Sequence, residues 1–131
     1  MAETASESRR RILLAEDNAI NRQIVLELLQ VRGHSVKLAG TGTEVLQALD
    51  HDAFDVILMD VQMPDMDGFQ TTAAIRTREK LFGGHIPIIA ITGLATSSDR
   101  RKCLDAGMDG YLGKPIRAQE LFTVIEQKIA K

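Results

Sequence analysis

The chain has 131 residues, of which 44% are apolar and 26% charged, and a formal net charge of −2. That is the composition of one globular domain with a real core; it excludes a disordered chain, a second full-sized domain and a strong polycation. Cys103 is the one cysteine, so no disulfide framework or cysteine metal cluster forms. With no Trp, one Tyr and four Phe there are few platforms for stacking bases.

No apolar run approaches the ~20 residues of a membrane helix, and the stretch 1–10 has no apolar core of a signal peptide. It reads as a flexible lead-in to a domain over 11–131. The expected setting is cytoplasmic, which the lone cysteine fits, with no membrane contact and no direct nucleic-acid contact. Five short, nearly continuous apolar runs follow: Ile12–Ala15, Ser35–Ala39, Phe54–Met59, Ile86–Ile91 and Tyr111–Leu112. Such runs fit strands buried on both faces of a parallel sheet, and Lys37 marks the second as a candidate edge strand. Helical segments alternate with them. Asn18 caps a helix running to Arg32 and stopped by Gly33. Thr41 and Glu44 have the spacing of a capping box. Thr96–Asp99 opens a further helix ended by Gly107, and the last begins near Arg117, with Leu121, Val124, Ile125 and Ile129 on one stripe. Gly83-Gly84 reads as a flexible connection before the fourth strand. Five alternations of strand and helix define an α/β fold with a doubly wound parallel sheet.

The polar residues just after the strands carry the chemistry. Glu16 and Asp17 come after the first strand, Asp60 after the third, Thr92 after the fourth and Lys114 after the fifth. A parallel sheet brings the carboxyl ends of its strands to one edge, where ligands bind. Three carboxylates and one ammonium sum to −2 there, and like charges ~4 Å apart repel by about 4 kcal/mol at an effective dielectric of 20. Such a cluster either holds a proton or binds a cation. With oxygen donors only, the cation is hard: Mg²⁺, or Mn²⁺ in its place.

Four motifs stand at these strand ends in order: Glu16-Asp17-Asn18; Met59-Asp60-Val61-Gln62-Met63-Pro64 with Asp67-Gly68; Ala90-Ile91-Thr92-Gly93; and Gly110-Tyr111-Leu112-Gly113-Lys114-Pro115. Together they resemble the receiver domain of two-component response regulators over nearly all of Arg11 to Lys131. The runs Asn18–Arg22 and Cys103–Asp109 resemble most the receivers of hybrid sensor histidine kinases. The resemblance implies a flavodoxin-like sheet order, 2-1-3-4-5, with helices on both faces. It implies a non-enzymatic phosphoacceptor that takes a phosphoryl group from a phosphohistidine onto Asp60, the donor being a histidine kinase or histidine phosphotransfer protein. By the same resemblance Asp17, Asp60, Glu16 and the Gln62 backbone carbonyl ligate the metal, Lys114 pairs with the phosphoryl group, and Thr92 and Tyr111 form the switch. A cis bond before Pro115 is implied as well. Gly93 departs from the Ala often found there in hybrid-type receivers, which loosens the loop toward Ala95–Ser98.

Other residues have plainer readings. His34, His51 and His85 lack metal-ligand spacing and read as solvated loop residues; Cys103 reads as core, and Arg100-Arg101-Lys102 as a solvated helix face. The first helix is different. Its apolar residues, Ile20, Ile24, Val25, Leu28, Leu29 and Val31, sweep about 180°, wider than the ~100° stripe a core needs. Ile20 and Ile24, with Pro115, are therefore candidates for docking a partner helix. The alternative function is a Mg-dependent phosphatase with Asp60 as nucleophile, disfavoured because Gln62 stands where such enzymes usually carry a second acid. A flavin module of the same sheet order is disfavoured because Glu16 and Asp17 repel a phosphate.

Overall fold

In the computed structural model, which describes residues 9–93 and 96–129, five strands alternate with five helices. The strands are β1 (Arg11–Ala15), β2 (Ser35–Ala39), β3 (Val56–Asp60), β4 (Ile88–Thr92) and β5 (Gly110–Gly113). The helices are α1 (Ala19–Val31), α2 (Gly42–His51), α3 (Gly68–Phe82), α4 (Ser97–Asp105) and α5 (Ala118–Ile129). All pairings are parallel, in the order β2-β1-β3-β4-β5. The N-terminal lead-in, up to residue 8, lies outside the described residues, as does Ala95 of the loop after Gly93.

Alternation along each strand splits the core into two layers. Leu13, Ala15, Ile57, Met59, Ile88 and Ala90 face one way and pack with Val45, Ala48, Ile75 and Cys103 from α2, α3 and α4. Ile12, Leu14, Leu58, Ile89 and Ile91 face the other and meet Val25 and Leu29 of α1 and Leu121 and Ile125 of α5. Each fully buried Leu or Ile contributes about 1.5–3 kcal/mol. β3 and β4 are buried at every position, whereas β2, at the edge, exposes Lys37 and Leu38.

Two strands start later than the apolar runs indicate. Pro87 has no N–H to give a ladder, so β4 begins at Ile88, and Pro87 contributes only its carbonyl, accepting from the Ile57 N–H at 2.9 Å. Before β3, the Asp55 side chain accepts from the Arg11 N–H at 2.7 Å, closing the strand's entry and leaving Phe54 outside. Both strands run one residue further than expected, so Asp60 and Thr92 are their last residues.

The helix signals hold with one change. Asn18 caps α1 by accepting from Asn21 N–H, and Gly33 leaves it with φ of 83°. Thr41 accepts from Glu44 N–H, but the Glu44 carboxylate bonds the Gly40 N–H at 2.6 Å rather than that of Thr41, so the expected box is half formed. A box not expected from the sequence opens α3: Gln70 N–H donates to Asp67, whose own N–H donates to the Gln70 side chain. Thr96 and Asp99 form the box of α4, and Gly107 comes after that helix with φ of 103°.

One of the three histidines departs from its reading. His34 is buried, and its Nδ1 accepts from the Arg10 N–H at 3.0 Å. His85 is exposed but paired, its Nε2 lying 2.7 Å from Asp109 Oδ1. His51 is exposed, as expected. Cys103 is core.

Burial pushes the His34 pKa below the ordinary imidazole value, because an accepting, desolvated ring must stay neutral. The unfolded chain then binds the proton more readily, so the His34 contribution is present above the ordinary imidazole pKa and is lost as pH falls through the lowered one. Wild-type protein is expected to lose more stability between pH 7 and pH 5 than His34→Gln does, read as urea midpoints at both pH values.

Candidate functional site

At the carboxyl edge of the sheet the backbone ladder continues past the strands and fixes the residues just beyond them. Glu16 N–H donates to Ala39 O, Val61 N–H to Ile91 O and Lys114 N–H to Thr92 O, at 3.0, 3.1 and 2.8 Å. Residues just beyond β1, β3 and β5 are thereby tied to the ends of β2 and β4. Glu16 is 1% exposed and Asp60 4%, while Asp17, next to the cap of α1, is open to solvent. Carboxylate oxygens of these three residues lie within 4.8 Å of one another.

Lys114 Nζ stands 3.4 Å from Asp60 Oδ2 and 3.5 Å from Glu16 Oε1. The Lys114–Pro115 bond is cis. Asp60 Oδ1 accepts from the Gln62 N–H at 3.0 Å, and Glu16 Oε2 from the Asn18 N–H at 3.2 Å. Among the described residues no group donates a hydrogen bond to the buried Glu16 Oε1. Burial first, and then the Asp60 carboxylate beside it, raise the Glu16 pKa from 4.5 to about 7, against the opposing pull of Asn18 N–H and Lys114. One ammonium does not offset three acids.

Thr92 is 6% exposed at the end of β4. In the register Thr92 pairs with Gly113 and Ala90 with Tyr111, so Tyr111 lies on Thr92's face of the sheet, one strand over. Tyr111 is half-buried, with the Arg100 guanidinium 5.4 Å from its ring centre, and burial is the main cause of its raised pKa. Ile20 and Ile24 are 72% and 48% exposed, and Pro115 is exposed too. The acids, Thr92, Lys114 and Pro115 thus stand at this edge, Tyr111 lies within β5 and Ile20 and Ile24 on α1. A cleft of about 590 Å³ opens beside the carboxylates, lined by Asp17, Gln62, Met63, Phe69, Thr92 and, from α4, Lys102.

Two features escaped sequence reasoning. A Cβ on Gly68 would stand 2.7 Å from the Asp60 carbonyl oxygen, while Gly68 N–H donates to Val61 O at 2.8 Å, so only glycine lets α3 start this close to the acid. The signal was the Asp67-Gly68 pair. Lys102 lines the cleft, which three consecutive cations on a helix concealed. Gly93 has open space where a Cβ would be, so the backbone there does not demand glycine.

The fold and this edge define the class, a doubly wound receiver-type domain with an acidic site. The family model of the response regulator receiver domain matches residues 12–126, and the chain belongs to that family. Hybrid signal transduction histidine kinase I of Dictyostelium discoideum is 43% identical over 129 residues, covering 92% of this chain and 7% of that protein. The chain thus spans a small fraction of the curated relative it matches. The receiver domain of sensor histidine kinase PA1611 from Pseudomonas aeruginosa PAO1, solved with a magnesium ion coordinated in its active site cleft, is 37% identical with a TM-score of 0.84, over 93% of this chain and 98% of that one. The receiver domain of the yeast Saccharomyces cerevisiae response regulator Ssk1, in complex with the histidine phosphotransfer protein Ypd1, is 30% identical with a TM-score of 0.88, over 93% and 90%. The family and these relatives agree with the receiver class expected from the motifs.

The Glu16 shift has a defined sign. A raised folded-state pKa means that stability is fully present below the unfolded value near 4.5 and is lost as pH rises through about 7. In EDTA, Glu16→Gln, isosteric and uncharged, is expected to raise the urea midpoint at pH 8 and to leave it near wild type at pH 4. Gly68→Ala is expected to cost about 1–3 kcal/mol, the usual penalty of overpacking, in the same assay.

Proposed function

We propose that this domain accepts a phosphoryl group from a phosphohistidine on the Asp60 carboxylate, in a reaction that requires Mg²⁺. The observation that carries this reading is a nucleophile-ready carboxylate, 4% exposed, with two further acids and one lysine within reach. An anion does not approach such a cluster unaided.

The residues fit a hard divalent ion. All donors are oxygens, three carboxylates converge within 4.8 Å, and among the described residues nothing donates a hydrogen bond to the buried Glu16 Oε1. Asp17 and Asp60 would hold Mg²⁺ directly, Glu16 directly or through water, and Gln62 by its carbonyl; Mn²⁺ suits the same donors. Bound there, the ion supplies charge neutralisation for the attacking carboxylate and the incoming phosphoryl oxygens. A carboxylate oxygen of Asp60 attacks phosphorus, the O–P bond forms as the donor's N–P bond breaks, and the electron pair stays on the imidazole nitrogen. The Gln62 N–H orients Asp60 for this attack. Lys114, already 3.4 Å from Asp60, pairs with a phosphoryl oxygen.

Thr92 donates its hydroxyl to another phosphoryl oxygen and moves toward it, and Tyr111, on the same sheet face, turns into the space left. That changes the face of α4, β5 and α5. The donor is a histidine kinase or a histidine phosphotransfer protein; the latter class is bound by the yeast receiver above. It docks on the exposed aliphatics Ile20 and Ile24 of α1 with Pro115. The domain works in the cytoplasm, and among the described residues no helix is long and apolar enough to cross a membrane.

Incubation with acetyl phosphate and Mg²⁺ is expected to add one phosphoryl group by intact mass. The adduct should be absent in EDTA and in Asp60→Asn. Asp17→Ala should weaken Mg²⁺ binding about tenfold or more while preserving the fold. An adduct that survives Asp60→Asn contradicts the assignment.

A further inference from the structure

Beyond the carboxylates, the cleft has a wall made by α4. Asp99, Lys102 and Cys103 line it together with Asp17 and Gln62, and a sphere of its volume, about 590 Å³, is about 10 Å across, a little more than the ~8 Å Debye length at physiological salt. Burial of Cys103 fixes which side of α4 faces inward, and Lys102 stands beside it. Asp99 is engaged locally, accepting from the Thr96 N–H and hydroxyl. Among the described residues the Lys102 ammonium has no ion pair or hydrogen bond. Its neighbour Arg100 is turned onto the Tyr111 ring.

Charge counting gives this cation a task. Glu16, Asp17, Asp60 and Lys114 sum to −2, which one divalent ion cancels. Replacing the single charge of Asp60 by an acyl phosphate, which carries close to two, leaves the centre one negative charge in excess. The carboxylates of Asp67 and Asp99 also border the cleft, but Asp67 caps α3 and Asp99 closes the capping box of α4, so each offsets the partial positive charge of a helix N-terminus. Lys102 is the lining ammonium left to balance the phosphoryl group. Cys103 is the one fully buried residue of α4, so a small inward shift of that helix gives up little core.

We propose that Lys102 is a second cation of the phosphoryl site, drawn to phosphoryl oxygen once Asp60 is modified and taking α4 with it; this rests on the reading of Asp60 as phosphoacceptor. Lys114 serves the attacking carboxylate before and after transfer, whereas Lys102 engages only afterwards. Its flexible four-carbon stem lets the ammonium follow a charge that appears in the cleft it lines.

The test is an NMR titration of the full chain with Mg²⁺ alone and with Mg²⁺ plus beryllofluoride, which stands in for a phosphoryl group on a carboxylate. Lys102→Gln is expected to bind beryllofluoride about fivefold more weakly, with Lys102→Arg near wild type. The same Gln variant should bind Mg²⁺ alone equally well or up to about twofold more tightly, because a nearby positive charge is gone. A merely structural role would weaken both affinities together, and that result overturns the proposal. So does unchanged beryllofluoride affinity, including the case where only transfer from a phosphohistidine protein slows, which would place Lys102 on a partner surface instead. If Asp60→Asn binds beryllofluoride like wild type, the phosphoacceptor reading falls and this proposal with it.

Discussion

The repulsion among Glu16, Asp17 and Asp60 is the constraint around which this domain is arranged. Two of the three acids are almost wholly withdrawn from water, and Lys114 stands about 3.5 Å from each of those two. In isolation such a cluster would splay apart or stay protonated. Here it cannot splay apart, because the strand ladder continues past these acids and fixes their backbone, so Glu16 holds its proton up to about pH 7 instead. The two core layers supply the rigidity, and the site carries the tension. The rise in the Glu16 pKa registers that tension, and the same arrangement that disfavours the ionised cluster makes it receptive to a divalent cation.

The parallel topology explains why residues so distant in sequence serve one site. Every crossover returns the chain to the same edge, so the loop after each strand contributes to a common cleft. The central strands β1 and β3 deliver the acids and β4 and β5 deliver Thr92 and Lys114, while β2, at the rim, sends Ala39 to receive the Glu16 N–H. Gly68 adds a steric condition: α3 starts against the Asp60 carbonyl, which fixes the loop that carries Gln62. Chemistry and packing therefore meet at one short segment, 60–68. The helix with least core, α4, borders the same cleft and is the element most easily displaced by a change of charge there.

Most of the fold was legible because β1, β3 and β4 are nearly unbroken apolar runs buried on both faces, while Lys37 marks β2 as the exposed edge. What the runs could not reveal was where pairing starts: Pro87 and Asp55 decide that through a missing donor and a side-chain bond to Arg11. Glu44 illustrates how spacing misleads, since its carboxylate reaches one residue past the expected N–H. His34 looked like a loop residue between Gly33 and Ser35, but its partner is Arg10, distant in sequence and adjacent only after β1 and β2 pair. The acids, Thr92 and Lys114 were legible because strand ends in a parallel sheet converge by rule. Lys102 was not, because three successive cations look alike in sequence and all three are solvated; about 100° of helical rotation separates each from the next, and only the fold says which one borders the cleft.

Direct titration of the Glu16 carboxyl carbon by NMR tests the central claim most closely. Without metal, Glu16 is expected to titrate near 7, and with saturating Mg²⁺ it should remain ionised from about pH 5 upward. A metal-free midpoint near 4.5, indifferent to Mg²⁺, would mean that the carboxylates do not strain one another and that the account of the site is wrong.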